Sequence, residues 1–220
     1  MTPGALLFDF DGVLVDSEYV GNKQLAEWLT ANGHPISPAE SMASFMGYSG
    51  LDFLARIEAF IARPIPDSFH AARADEDERV MAAGIDAVGG AVDFVRSLDP
   101  ALPRAIVSSS STRWIRRHLD HIGLADAFGD HVYSGREHVD RGKPAPDLYL
   151  HAARQLGVAI DRCAIIEDSP VGATGAVASG GYVIGLTAGT HCAPDHADRL
   201  RAIGVDAVAG DFAAVARLLR

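Results

Sequence analysis

A chain of 220 residues that is 48% apolar and 22% charged can bury one enlarged domain or two small ones, which excludes intrinsic disorder, collagen-like repeats and a disulfide scaffold. Its net charge of -10 argues against a nucleic-acid partner, because phosphate-backbone affinity comes from clustered Lys and Arg. No apolar run approaches the ~20 residues of a membrane span and no basic-then-apolar leader precedes the first strand, so the expectation is a soluble, cytoplasmic protein with no membrane partner.

Ala5-Leu6-Leu7-Phe8 is a continuous apolar run suited to a strand buried on both faces, and Asp9-Phe10-Asp11-Gly12 follows it. From about Asp16 to Ile85 nothing reads as a strand. Leu25, Trp28 and Leu29 share one helical face, and Leu51, Leu54, Ile57 and Ile61 share another. Residues 16–85 are therefore expected to be an all-helical insertion, and its acidic run Asp75-Glu76-Asp77-Glu78 a solvated helix face.

After the insertion the rhythm alternates. Short apolar runs at Arg104–Val107, His131–Tyr133, Cys163–Ile166 and Tyr182–Leu186 read as strands. Helical patterns at Val88–Ser97, Arg113–Ile122, Asp147–Leu156, Pro170–Ser179 and Ala213–Leu219 lie among and after them. Arg113, Arg116 and Arg117 form the one basic cluster, and they fall at the spacing of a solvated helix face. The alternation predicts the α/β class, a doubly wound parallel sheet formed by residues 1–15 and 86–220.

Ligands of such sheets bind beyond the C-terminal strand ends, so the polar residues there are the candidates. Asp9 and Asp11 follow the first run, Ser108-Ser109-Ser110-Ser111 the second, and Glu167-Asp168-Ser169 a later one, while Gly142-Lys143-Pro144 precedes a helix. Four converging carboxylates are costly without a cation, which points to a hard, oxygen-liganded ion such as Mg2+. Lys143 is one of only two lysines, against seventeen arginines, which suggests that a compact point charge is needed there. Asp147 reads as a first-turn helix residue. Cys163 and Cys192 lack redox or zinc spacing and fit a reducing compartment, with one disulfide left open. His191, Cys192 and His196 have the make-up of a metal cluster, but beside a Mg2+ site elsewhere they read as an ordinary loop.

Asp9-Phe10-Asp11-Gly12-Val13-Leu14-Val15-Asp16-Ser17, Ser108, Lys143 in Gly142-Lys143-Pro144-Ala145-Pro146-Asp147, and Glu167-Asp168-Ser169-Pro170-Val171-Gly172 resemble, in order, the four motifs of haloacid dehalogenase superfamily hydrolases with a helical cap, in the β-phosphoglucomutase and sugar-phosphatase subgroup. The resemblance implies that Asp9 is the nucleophile that forms an aspartyl-phosphate, and that Asp11 is the acid and base. It implies that Ser108, with the backbone of Ser109 and Ser110, holds the phosphoryl group, and that Lys143 neutralises it. Asp9, the carbonyl of Asp11, Asp168 and Glu167, the last directly or through water, would hold Mg2+. In the cap, Gly47, Tyr48 and Ser49 fall in a loop resembling the one that meets substrate.

Asp11 disfavours a dehalogenase, which lacks that residue, and phosphonoacetaldehyde hydrolase, which has Ala there. Lys23 reads as an exposed helix residue rather than a Schiff-base lysine. Gly21 and Gly50 stand where the mutases carry a His and an Arg. The expected function is a Mg2+-dependent phosphatase of small phosphorylated metabolites, such as sugar or sugar-acid phosphates. The rivals are a β-phosphoglucomutase-type mutase and a non-catalytic phosphometabolite-binding protein, and the oligomeric state is open.

Overall fold

The computed structural model describes residues 2–45 and 50–220. The chain divides into two compact units, one of residues 1–16 and 86–220, the other of residues 17–85.

Among its described residues the smaller unit has four helices: α1 (Ser17–Ala31), α2 (Pro38–Phe45), α3 (Gly50–Ile61) and α4 (Asp67–Ala83). Leu25, Leu29, Phe45, Ile57, Ile61 and Phe69 are its buried core, and Trp28 meets Phe69 edge-on at 4.8 Å. Asp75, Asp77 and Glu78 lie exposed on α4, while Glu76 pairs with Arg79 at 2.6 Å.

The larger unit runs β1 (Ala5–Phe8), α5 (Ala91–Ser97), β2 (Arg104–Ser108), α6 (Thr112–His121), β3 (Val132–Ser134), α7 (Asp147–Gln155), β4 (Cys163–Glu167), α8 (Pro170–Ser179), β5 (Tyr182–Leu186), α9 (His196–Ile203), β6 (Ala207–Ala209) and α10 (Phe212–Leu218). Among the described residues six strands form one parallel sheet in the order β3-β2-β1-β4-β5-β6. Every residue of β1 is buried, as expected of a central strand paired on both edges and covered on both faces. One face packs Leu7, Val107, Leu148, Tyr149 and Ile165 together, and Phe8 meets Phe94 and Phe128 edge-on at 6.2 and 5.6 Å. The doubly wound α/β reading of the sequence is the observed fold.

The differences have local causes. Helix α5 starts at Ala91 rather than Val88 because Gly90 is left-handed, with φ of 82°. Strand β6 and helix α9 were not anticipated. β6 is three residues long and two of them are alanine, a residue depleted in strands. Cys163 and Cys192 are both free thiols. Among the described residues no helix is long and apolar enough to cross a membrane.

Candidate active site

The chain winds outward from β1 through β2 to β3 and then restarts at β4 on the other side, so the sheet order reverses between β1 and β4. Crevices at the C-terminal end of such a reversal are where open α/β sheets bind ligands. Asp9 directly follows β1, Glu167 ends β4 and Asp168 comes next. One carboxylate oxygen from each falls within 4.8 Å of the others, and all three side chains are buried.

Lys143 is the cation among them. Its Nζ lies 2.7 Å from Asp9 Oδ1 and 2.5 Å from Glu167 Oε1, with the lysine side chain only 4% exposed. Burial alone would lower its pKa, but Asp9 and Glu167 outweigh that and hold it above the ordinary lysine range. Asp9 is also raised well above the usual carboxylate value, by burial first, then by Glu167 and Asp168, with Lys143 opposing. Lys143 is thus held charged by the two carboxylates it touches, while burial and the neighbouring carboxylates oppose charge on Asp9.

Glu167 is held on all sides. Tyr149 donates its hydroxyl to Oε1 at 2.7 Å, and the amides of Asp168 and Ser169 and the Ser169 hydroxyl donate to Oε2 at 3.1–3.2 Å. Burial, and after it Glu167, pushes Tyr149 well above the usual tyrosine value, so the phenol remains a donor. Ser169 also caps α8 by accepting from the Gly172 amide at 3.0 Å. A Cβ on Gly172 would stand 1.9 Å from Glu167 Oε1, so only glycine lets α8 pass this close to the carboxylate. Gly12 follows the same logic, with φ of 79° and a notional Cβ 2.0 Å from Asp168 Oδ2.

The carboxylate of Asp11 has its own set of donors. Its Oδ2 accepts from Ser110 Oγ at 2.6 Å and Ser108 Oγ at 3.3 Å, and its Oδ1 accepts from Trp114 Nε1 at 3.1 Å. Ser108 is buried at the end of β2, and its Oγ accepts the Ser110 amide at 2.9 Å, while Ser109 is exposed. Ser111 is the N-cap of α6, accepting from the Trp114 amide at 3.3 Å. The four serines thus divide into two partners of Asp11, one exposed residue and one helix cap. Trp114 escaped the sequence reading because nothing in a lone aromatic on an amphipathic helix announces a hydrogen bond to a carboxylate 103 residues away.

Asp147 is in the first turn of α7 and accepts both Nε and Nη2 of Arg141, at 3.0 and 2.9 Å. Gly47, Tyr48 and Ser49 lie outside the described residues. His191 and His196 hold Asp168 from behind: His191 Nε2 is 2.8 Å from Asp168 Oδ2, and His196 Nε2 is 2.5 Å from the Asp168 carbonyl oxygen.

The trio suits a hard divalent cation. Its donors are all carboxylate oxygens, its negative charge exceeds what Lys143 supplies, and Asp168 Oδ1 is buried with no hydrogen-bond partner among the described residues.

Comparison with known proteins gives a consistent picture. A family model described as haloacid dehalogenase-like hydrolase matches residues 3–180. Hexitol phosphatase A of Escherichia coli is 34% identical over 188 residues, covering 83% of this chain and 82% of that protein. The 6-phosphogluconate phosphatase of the same bacterium is 27% identical over 193 residues, covering 86% and 85%. A haloacid dehalogenase family hydrolase from Deinococcus radiodurans, solved with bound phosphate and sodium, superposes with a TM-score of 0.86 at 32% identity, covering 98% of this chain and 94% of that one.

Proposed function

The chain belongs to the haloacid dehalogenase-like hydrolases and is a phosphatase of that family; from that premise we propose that it is Mg2+-dependent and hydrolyses monoesters of small sugars, polyols or sugar acids through a phosphorylated Asp9. The observation that carries the reading is the burial of Asp9, Glu167 and Asp168 around Lys143 at the reversal of the sheet.

Asp9, Asp168 and the backbone carbonyl of Asp11 would hold Mg2+, with Glu167 beside them. When bound, Mg2+ supplies positive charge to the phosphoryl oxygens and lets a dianionic ester approach an acidic protein. A carboxylate oxygen of Asp9 attacks phosphorus while the P–O bond to the alcohol breaks, and Asp11 gives that leaving oxygen its proton. Asp11 then takes a proton from water as the water oxygen attacks phosphorus, which frees Asp9 and inorganic phosphate. Ser108 and the backbone at Ser109 and Ser110 hold the phosphoryl group, and Lys143 favours the ionised form of Asp9 against its burial and balances the charge carried by the transferring oxygens. Trp114 and Ser110 orient the Asp11 carboxyl by the hydrogen bonds described above.

Relatives named for a hexitol phosphate and for 6-phosphogluconate support the substrate class. The test is phosphate release from a panel of hexitol, sugar and sugar-acid phosphates, with and without Mg2+, with glucose 1-phosphate isomerisation followed in parallel. Metal-dependent release that disappears in a folded Asp9→Asn protein is expected. An equally active Asp9→Asn protein removes the mechanism, isomerised sugar without free phosphate favours a mutase, and ligand binding without turnover favours a sensor.

A further inference from the structure

A second group of donors lies on the far side of Asp168. His191, Cys192 and His196, in and just after the loop between β5 and α9, each bring one ligand atom into a set whose members all lie within 4.8 Å of one another. The two histidines are 4% and 1% exposed, and Cys192 is half-buried, which leaves a path from solvent to the thiol.

Each imidazole spends one nitrogen on Asp168: Nε2 of His191 faces its carboxylate and Nε2 of His196 its carbonyl. The other nitrogen, Nδ1, is buried in both rings and has no hydrogen-bond partner among the described residues. An unsatisfied buried polar atom costs about 1–3 kcal/mol, so two in adjacent rings call for an explanation. His196 has the arrangement of a metal-ligating histidine, with Nδ1 open and Nε2 on a backbone carbonyl. The ring centroids are 5.7 Å apart, a gap that one ion with Zn–N bonds of about 2.0–2.1 Å can bridge. Cys192 Sγ is 3.5 Å from His191 Nε2, so on that ring the thiol shares the nitrogen that faces Asp168. Gly189 lets the chain pass close to that ring, since a Cβ there would come within 2.5 Å of His191 Nδ1 and Cε1.

We propose that His191, Cys192 and His196 form a binding site for a thiophilic divalent cation of the zinc class, separate from the oxygen-lined trio and joined to it through Asp168. Two imidazoles and a thiolate select such an ion over Mg2+, which takes oxygen ligands. Bound there, the ion pins the loop before α9 against Asp168. The site stands on its own donors and does not depend on the phosphatase reading.

The test is a Co2+ titration of the reduced, Mg2+-free full chain, Co2+ serving as a coloured stand-in for zinc. A thiolate-to-cobalt charge-transfer band and tetrahedral ligand-field bands are expected, both displaced by Zn2+. They persist in Asp9→Asn, which leaves this cluster intact, and the charge-transfer band is lost in Cys192→Ser, which keeps its far-UV circular dichroism and its Mg2+-dependent turnover. His196→Asn weakens binding by at least the roughly 10–100-fold that loss of an outer-shell partner costs. Absence of the band in the unaltered protein, its persistence in Cys192→Ser, or its loss in Asp9→Asn overturns the proposal. A second measurement needs no variant. Cys163 is fully buried, so a thiol reagent reads Cys192 in the native protein. Zn2+ is expected to slow that labelling about tenfold, a floor set by the same range, and an unchanged rate also overturns the site.

Discussion

At the residue scale the tightest constraint lies where α8 meets Glu167. Because the carboxylate occupies the place of a Gly172 Cβ, Gly172→Ala must push either the helix or Glu167 aside. Overpacking of that kind costs about 1–3 kcal/mol, so urea denaturation should show a lower midpoint, with turnover falling as Lys143 loses its second carboxylate. A different residue sets an acid limit. His118 is fully buried, neither ring nitrogen has a hydrogen-bond partner among the described residues, and Trp114 packs on it edge-on at 4.3 Å. Burial lowers its pKa below 6.5, with the pull of Asp11 only partly offsetting this. On acidification the unfolded chain takes up the proton first, so stability is whole above 6.5 and declines as pH falls from there toward the lowered folded value. The slope from this one group is at most about 1.4 kcal/mol per pH unit. Denaturation midpoints at pH 7.5 and 5.0 should therefore draw closer together in His118→Leu. An unchanged difference would remove His118 as the cause.

At the element scale the helices after β2 and β4 do the positioning. Ser111 caps α6, and Trp114, in the first turn of that helix, reaches Asp11. Ser111→Ala should cost about 1 kcal/mol of stability. Trp114→Phe keeps the ring but drops the donor to a carboxylate, an interaction worth about 1.5–3 kcal/mol. Its expected result is a kcat lower by about ten- to hundredfold, with KM little changed and the fold intact by circular dichroism. The strands that frame the site were legible because continuous apolar runs such as Leu6-Leu7-Phe8 and Ala164-Ile165-Ile166 are what a doubly covered parallel sheet requires. Strand β6 was not legible, because Ala207-Val208-Ala209 carries too little β preference and pairs only with β5 at the sheet edge. Helix α9 is hidden by its neighbour: in the sequence His191, Cys192 and His196 read as one loop, whereas His196 is the first residue of a helix.

At the scale of the whole molecule, an ion held by folded but not unfolded chain stabilises the protein through mass action. On the proposed reading, Mg2+ at 100 times its dissociation constant adds about 2.7 kcal/mol, seen as a rise in Tm that EDTA reverses and that Asp168→Asn abolishes. The sequence by itself determined the class of sheet and the identity of the charged residues at the strand ends, since apolar runs and the polar residues that stop them are local properties of the chain. Only the tertiary structure decided how those charges are partnered: that Lys143 spans Asp9 and Glu167, that Trp114 rather than a second carboxylate faces Asp11, and that two histidines carry Asp168. Those pairings join residues up to 134 positions apart. Their distances follow from strand order and helix packing, and neither leaves a periodic trace in the amino-acid string.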